Sequence, residues 1–172
     1  SREDGREGDR DIAVGCSPMR RISVVGSSGS GKTTAARAIA GKLGYPCLEL
    51  DSVYHLPDWT PLPDVEFLEA VGGFAARDCW VIDGNYTSVG VLDLVWKHAD
   101  TVVWIDVPKR TAMRQVIWRA VTRATTGEEL WNSNRERWGN LFKWRPEENI
   151  VRWTWTRFDH VREKYVKRMS DP

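Results

Sequence analysis

Along the 172-residue chain, short apolar runs alternate with stretches of helical spacing. Arg21-Ile22-Ser23-Val24-Val25 predicts a strand buried on both faces, running to about Gly26. Thr34-Ala35-Ala36-Arg37-Ala38-Ile39-Ala40 then reads as a helix, and Gly41 and Gly44 punctuate its end. Pro46-Cys47-Leu48-Glu49-Leu50 predicts a short second strand ending at Asp51. The Pro- and Trp-containing stretch from Leu56 to Pro63 reads as loop. Asp64 stands as N-cap of a helix reaching about Arg77. Cys79-Trp80-Val81-Ile82 predicts strand three, ending at Asp83, and Val91 to Trp96 a short helix or turn. Thr101-Val102-Val103-Trp104-Ile105 predicts strand four, ending at Asp106; Pro108 opens a helix to about Arg123. After Gly127 the pattern is helical and rich in Trp and Arg, without a clear fifth strand.

Strands separated by helices predict an α/β fold: a parallel sheet of four to five strands with helices on both faces. Right-handed crossovers would gather the loops that follow the strands at one edge of that sheet. Residues 1–18, dense in charge and poor in apolar residues, read as a disordered leader, with Met19 a candidate natural start. Residues 19–172 then form one domain, with a helical lid at about 124–150.

Composition narrows the class. Hydrophobic residues at 41% and charged residues at 28% are ordinary for a soluble globular protein. No apolar run approaches the ~20 residues that span a bilayer, which argues against a membrane partner. Cys16, Cys47 and Cys79 are widely spaced, which argues against a disulfide framework or zinc site and fits a reducing cytoplasm. The net charge of +1 hides an asymmetry. Residues 107–172 carry 15 Lys and Arg against 8 Asp and Glu, whereas residues 1–106 carry 10 and 16. An arginine-rich segment suits closure over phosphates, or alternatively a nucleic-acid surface. The ten tryptophans read mostly as core packing, with Trp59 a candidate ligand platform.

The sharpest chemical signal lies between the first strand and its helix. Gly26-Ser27-Ser28-Gly29-Ser30-Gly31-Lys32-Thr33 fits the phosphate-binding pattern G-x-x-x-x-G-K-[ST] in full. Glycines let the backbone close around an anion, and the N–H groups of the loop and helix start point at it. Gly26, Ser28, Gly29, Ser30, Gly31, Lys32, Thr33 and Thr34 are therefore the expected ATP-binding residues. Lys32 would reach the β- and γ-phosphates, and the Thr33 hydroxyl would bind Mg²⁺.

Three aspartates end predicted strands, where side chains face the ligand crevice of an open sheet. Asp83 is the expected metal-side acid, and Asp51 the expected base toward an acceptor hydroxyl. Asp106 reads as structural. On the helix after Pro108, Met113, Val116, Ile117 and Ala120 form the apolar face. Arg110 and Arg114 form one i,i+4 pair and Arg119 and Arg123 another, and such pairs repel unless anions neutralise them. Arg119, Arg123 and then Arg135 in the lid are the expected catalytic arginines, beside Lys32 and Asp51.

These stretches resemble the P-loop small-molecule and nucleotide kinases of the adenylate-kinase-like group. The finer likeness is to the DNA topology modulation proteins (FlaR-like). It rests on the phosphate loop with its strand, Leu50-Asp51 with Trp59, Trp80-Val81-Ile82-Asp83-Gly84-Asn85-Tyr86, Ile105-Asp106-Val107-Pro108, Glu129 to Glu136, and Trp153-Thr154-Trp155-Thr156. The resemblance implies a five-stranded parallel sheet, Mg-ATP as donor, and a mobile lid carrying arginines. It also implies that Asp83-Gly84 lies near Mg²⁺ and that Arg119 contacts phosphates. The chain departs from adenylate kinases after that Asp-Gly pair, where Asn85-Tyr86 replace an arginine. A hydroxyl acceptor needs a base and an ionised phosphate does not, so Asp51 favours the former. The sequence thus predicts a kinase moving the γ-phosphate of ATP to a small hydroxyl-bearing metabolite, nucleoside or nucleotide. The second reading is a regulatory or nucleic-acid-associated P-loop NTPase. The lack of N-K-x-D argues against a GTPase, and the lack of a strand ending in Asp-Glu argues against a AAA+ motor.

Overall fold

The structure is a computed structural model describing residues 19–86, 89–126, 132 and 150–170, the side chains of 124, 150 and 153 excepted. Four parallel strands form one sheet: β1 (Arg21–Gly26), β2 (Cys47–Glu49), β3 (Trp80–Asp83) and β4 (Thr101–Ile105), in the order β2-β3-β1-β4. The helices are α1 (Lys32–Leu43), α2 (Leu50–Tyr54), α3 (Asp64–Ala75), α4 (Val91–His98), α5 (Lys109–Thr126) and α6 (Ile150–Ser170). The expected lid at 124–150, the leader and Arg135 lie wholly or almost wholly outside the described residues.

Strand alternation divides the core between two faces. Ile22 and Val24 of β1 and Val81 of β3 pack with Ala36 and Ala40 of α1. Trp80 and Ile82 of β3 point the other way, into a cluster with Leu50, Phe67, Val71, Ala75, Val91 and Val95. Trp80 is fully buried, and its indole N–H donates to the Ala75 carbonyl at 3.0 Å, which meets the polar requirement of that burial. Val25 of β1 joins Leu92 of α4 and Tyr165 of α6 in a third cluster. The sheet therefore carries helices on both faces, as the alternating pattern predicts.

Several boundaries differ from expectation. Strand β2 stops at Glu49, because Leu50 turns into the core as the first residue of α2. Asp51 accordingly sits in the first turn of a short helix rather than at a strand end. Pro63, not Asp64, is the N-cap of α3. The 57–63 stretch is not wholly loop, since Pro57–Trp59 forms a 3₁₀ turn and His55 bridges to Pro61. On α5, Ala112, Met113, Val116 and Ala120 are buried, but Ile117 is exposed: the packed stripe is centred between Val116 and Ala120. Trp118 and Trp155 are also exposed, at 75% and 58%, so tryptophan is not uniformly a core residue here. Asp106 is structural, and it accepts from Arg162 of α6 at 2.8 Å. No helix among the described residues is long and apolar enough to cross a membrane.

Candidate active site

Parallel pairing brings three loops together at the C-terminal ends of the strands. In register, Glu49 lies beside Asp83, and Asp83 beside Val24. The loop leaving β1, the start of α2 and the segment after β3 therefore share one edge.

The loop after β1 has the form an anion site needs. Gly31 is left-handed, and α1 starts at Lys32 without a side-chain cap. The first N–H groups of this 12-residue helix, including those of Thr33 and Thr34, thus face the loop unclaimed by a cap. Gly29 has φ 74°, and an added Cβ would lie 2.4 Å from the Ala112 carbonyl and 2.6 Å from a Val116 methyl. The loop is therefore seated directly on α5, and only glycine fits. Ser28 is half-buried; Ser30 is buried and its N–H donates to Ser27 O at 3.1 Å, while its hydroxyl has no partner.

Asn85 clamps the start of the loop. Its Oδ1 accepts from Gly26 N–H at 3.1 Å, and its Nδ2 donates to Gly26 O. Tyr165 of α6 donates to the same Oδ1 at 3.0 Å. The residue that stands where the resemblance to adenylate kinases implies an arginine is thus bonded to the loop after β1. The sequence quoted Asn85 only as a departure and did not reveal this clamp.

Asp83 and Thr33, the residues expected on the metal side, meet directly. Thr33 Oγ1 donates to Asp83 Oδ2 at 2.5 Å, whereas Asp83 Oδ1 is buried without a partner. Burial pushes the Asp83 carboxyl above its ordinary range; the Lys32 charge and the Thr33 hydroxyl act against this, and Asp51 and Glu49 reinforce it. A buried carboxylate with a spare oxygen beside a hydroxyl is a donor set that fits Mg²⁺, which takes few protein oxygens and fills the rest with phosphate and water. Among the described residues there is no cluster of three or more His, Cys, Asp or Glu that would hold a metal alone. Glu49, the register neighbour of Asp83, instead pairs with Arg37 at 2.5 Å.

Asp51 faces a different environment. Its Oδ1 accepts from the Tyr86 hydroxyl at 2.6 Å. Tyr86 packs on Tyr54 and Phe67 with centroid separations of 4.7 and 5.1 Å, and His55 meets Trp59 edge-on at 5.3 Å. Trp59 is 37% exposed and, like Asp58, has a left-handed backbone (φ 56° and 59°). Asn132 donates to the carbonyls of Ser52 and His55, at 3.2 and 2.5 Å. Tyr86 and His55 were not expected as site residues: Tyr86 reaches Asp51 because β3 pairs with β2, whereas His55 caps the same short helix and its N–H donates to the Asp51 carbonyl at 3.1 Å.

The arginines divide by helical phase. Ala112 and Val116 touch the loop at Gly29, and residues 119 and 123 continue that stripe at 3.6 residues per turn. Arg110 and Arg114 fall on the opposite side of α5 and are exposed. Lys32 is half-buried, with its charge acting on Asp83.

Comparison with known proteins agrees with this layout. The profile of the ATPase family associated with various cellular activities (AAA) matches residues 22–113. A shikimate kinase from Synechococcus elongatus is 25% identical, over 68% of this chain and 72% of its own length. A shikimate kinase from Parasynechococcus marenigrum is 28% identical, over 56% and 57%. Among solved structures, a gluconokinase from Sinorhizobium meliloti 1021 matches with a TM-score of 0.45 and 27% identity. That match covers 58% of this chain and 65% of the gluconokinase chain, so less than two thirds of that protein is represented.

Proposed function

Since the chain belongs to the ATPase family associated with various cellular activities, and its matched residues hold the whole phosphate loop, we propose that it is a P-loop kinase. It transfers the γ-phosphate of ATP to the hydroxyl of a small acceptor, in the cytoplasm, with the finer likeness to the FlaR-like group. The observation that carries this reading is the placement of Asp51. A second acid stands within electrostatic reach of Asp83 and accepts from Tyr86, whose ring packs on Tyr54 and Phe67. The relatives named for shikimate, a hydroxyl-bearing acid, support the same acceptor class.

In this reading the loop amides from Gly26 to Thr34 and the start of α1 bind the phosphates, and Lys32 neutralises the β- and γ-oxygens. Thr33 and Asp83 would hold Mg²⁺, which supplies charge stabilisation to those oxygens. Asp51 orients the acceptor hydroxyl and takes its proton as the oxygen attacks phosphorus in line, and ADP leaves. Arg119 and Arg123 extend the loop-contacting stripe of α5 and meet the transferring group; Arg135 is a third candidate. Asn85 is bound to Gly26, so it does not hold an acceptor phosphate, which favours a hydroxyl acceptor over a nucleoside monophosphate.

A motor is not favoured, since β3 ends in Asp83-Gly84 with no second acid. Nor does the basic C-terminal part favour a nucleic-acid surface. There, Arg162, Arg168 and Lys109 are paired with Asp106, Asp93 and Asp159 at 2.6–2.8 Å. The decisive experiment is an acceptor screen following ADP release from Mg-ATP, with Lys32→Ala as blank. Stimulation by a hydroxyl compound is the expected result. Stimulation by DNA alone would overturn the reading.

A further inference from the structure

Among the described residues, the Asp51 carboxylate is held from one side. The Tyr86 hydroxyl donates to Oδ1 at 2.6 Å, and packing holds the phenol in that direction. Its ring is wedged against Tyr54 and Phe67, the latter fully buried in α3. Its backbone is pinned too, since the Leu92 N–H of α4 donates to the Tyr86 carbonyl at 3.0 Å. Behind the phenol stands His55, with Nε2 3.4 Å from the Tyr86 oxygen.

The protons on this chain can be assigned from the network. A carboxylate only accepts, so the phenol donates to Asp51. The histidine must then meet the phenol oxygen with an N–H, which makes it the Nε2–H tautomer. That leaves Nδ1 as a bare lone pair, and Nδ1 is the atom buried without a partner. A lone pair lacking a donor is the less costly orphan, since an unpaired buried N–H is rarer. Burial acts in the same sense on both groups: it pushes the phenol far up and the imidazole down, so both stay neutral.

We infer that Tyr86, backed by His55, is a positioning residue that makes Asp51 a one-oxygen base, with Oδ1 spent on the phenol and Oδ2 left for the acceptor hydroxyl. This deepens the kinase reading and rests on Asp51 being its base. The proton removed from the acceptor goes to Oδ2 and is not passed to Tyr86, which already carries its own. The other ionisable groups around Asp51 are Asp83 on β3 with Lys32 beyond it, Glu49 on β2, and Tyr54 facing Tyr86.

The test uses the full chain and Mg-ATP, with water as the acceptor. Asp51→Asn is expected to lose ATP turnover. The Asp51 signal is followed by ¹³C-carboxyl NMR and assigned by its disappearance in that variant. Tyr86→Phe keeps the ring and removes the donor. It should lower turnover about tenfold, leave ATP affinity within about twofold, and move the Asp51 ¹³C-carboxyl signal at fixed neutral pH. Site-specific 3-fluorotyrosine at position 86, a stronger donor on the same ring, should move that signal the opposite way. Opposite shifts are not produced by a packing role. If neither variant moves the signal, or both move it alike, the positioning role fails. If Asp51→Asn turns over ATP normally, the base reading fails instead, whatever the NMR shows.

Discussion

The two sides of the site are built by opposite means. The donor side is one unbroken stretch, Gly26 to Thr34, whose working groups are mostly backbone amides. It is held by hydrogen bonds from Asn85 and by contact with α5. The acceptor side is gathered from residues 51 to 59 and from Tyr86, and it works through side chains packed ring against ring. Backbone recognition suits a ligand that is the same in every relative. Side-chain recognition suits one that differs, because a new acceptor needs only new rings or a new partner for Asp51. In the proposed function the difference also separates binding from chemistry, with the loop placing the phosphate and Asp51 serving the acceptor.

Substitutions on the two sides should break this comparison in different ways. The largest effect is expected from Lys32→Ala, which should lower ATP turnover on the order of 10³-fold and weaken ATP binding. Asp51→Asn should lower turnover about 10²–10⁴-fold while ATP affinity, read by calorimetry, changes less than about twofold. Equal loss of ATP affinity in both variants would erase the distinction. Next comes Gly29→Ala. A methyl group there meets the Ala112 carbonyl at 2.4 Å, on a left-handed backbone. Urea unfolding should show a loss of about 2–4 kcal/mol; a change below half a kcal/mol would mean that the loop does not rest on α5.

Asn85→Ala should cost about 1–3 kcal/mol of stability, because both backbone groups of Gly26 lose a partner. It should also weaken ATP binding, and an unchanged affinity would show that the clamp is dispensable to the donor side. The smallest effect concerns pH. Burial lowers the His55 pKa below its unfolded value near 6.5. The unfolded chain therefore takes up the proton first on acidification. The His55 contribution to stability is complete above that value and is lost as pH falls through the lowered folded one. Melting temperature should thus drop more between pH 7.5 and 5.5 in the wild type than in His55→Gln. An equal drop in both would remove His55 from the acid response.

The donor half was legible in the sequence because its chemistry is contiguous. The loop motif, the strand before it and the helix after it can be recognised without knowing what lies beside them. β3 and β4 were legible for a similar reason, as apolar runs of strand length. The acceptor half was not. Asp51 could be found as an acid after an apolar run, but its helix could not, since Leu50 leaves the strand to fill space beside Gly84, where a Cβ would lie 2.8 Å away. Tyr86 carries no local signal at all, and it meets Asp51 only through the pairing of β2 with β3, a property of the whole sheet. His55 lies four residues from Asp51, and only its contact with Tyr86 depends on that pairing. Exposure on α5 was misjudged at Ile117 for a related reason: helical spacing gives the phase of a stripe but not where its neighbours end.

The clamp on the loop has a consequence for how the protein is made. Gly26 is held by Asn85, 59 positions later, and Asn85 by Tyr165, a further 80 positions on. At a synthesis rate of roughly 5–20 residues per second, the loop leaves the ribosome several seconds before its last fastener. A nascent chain carrying the entire phosphate-binding motif therefore still lacks the hydrogen bond that α6 gives to the clamp. The loop is complete in sequence well before it is complete in its supports.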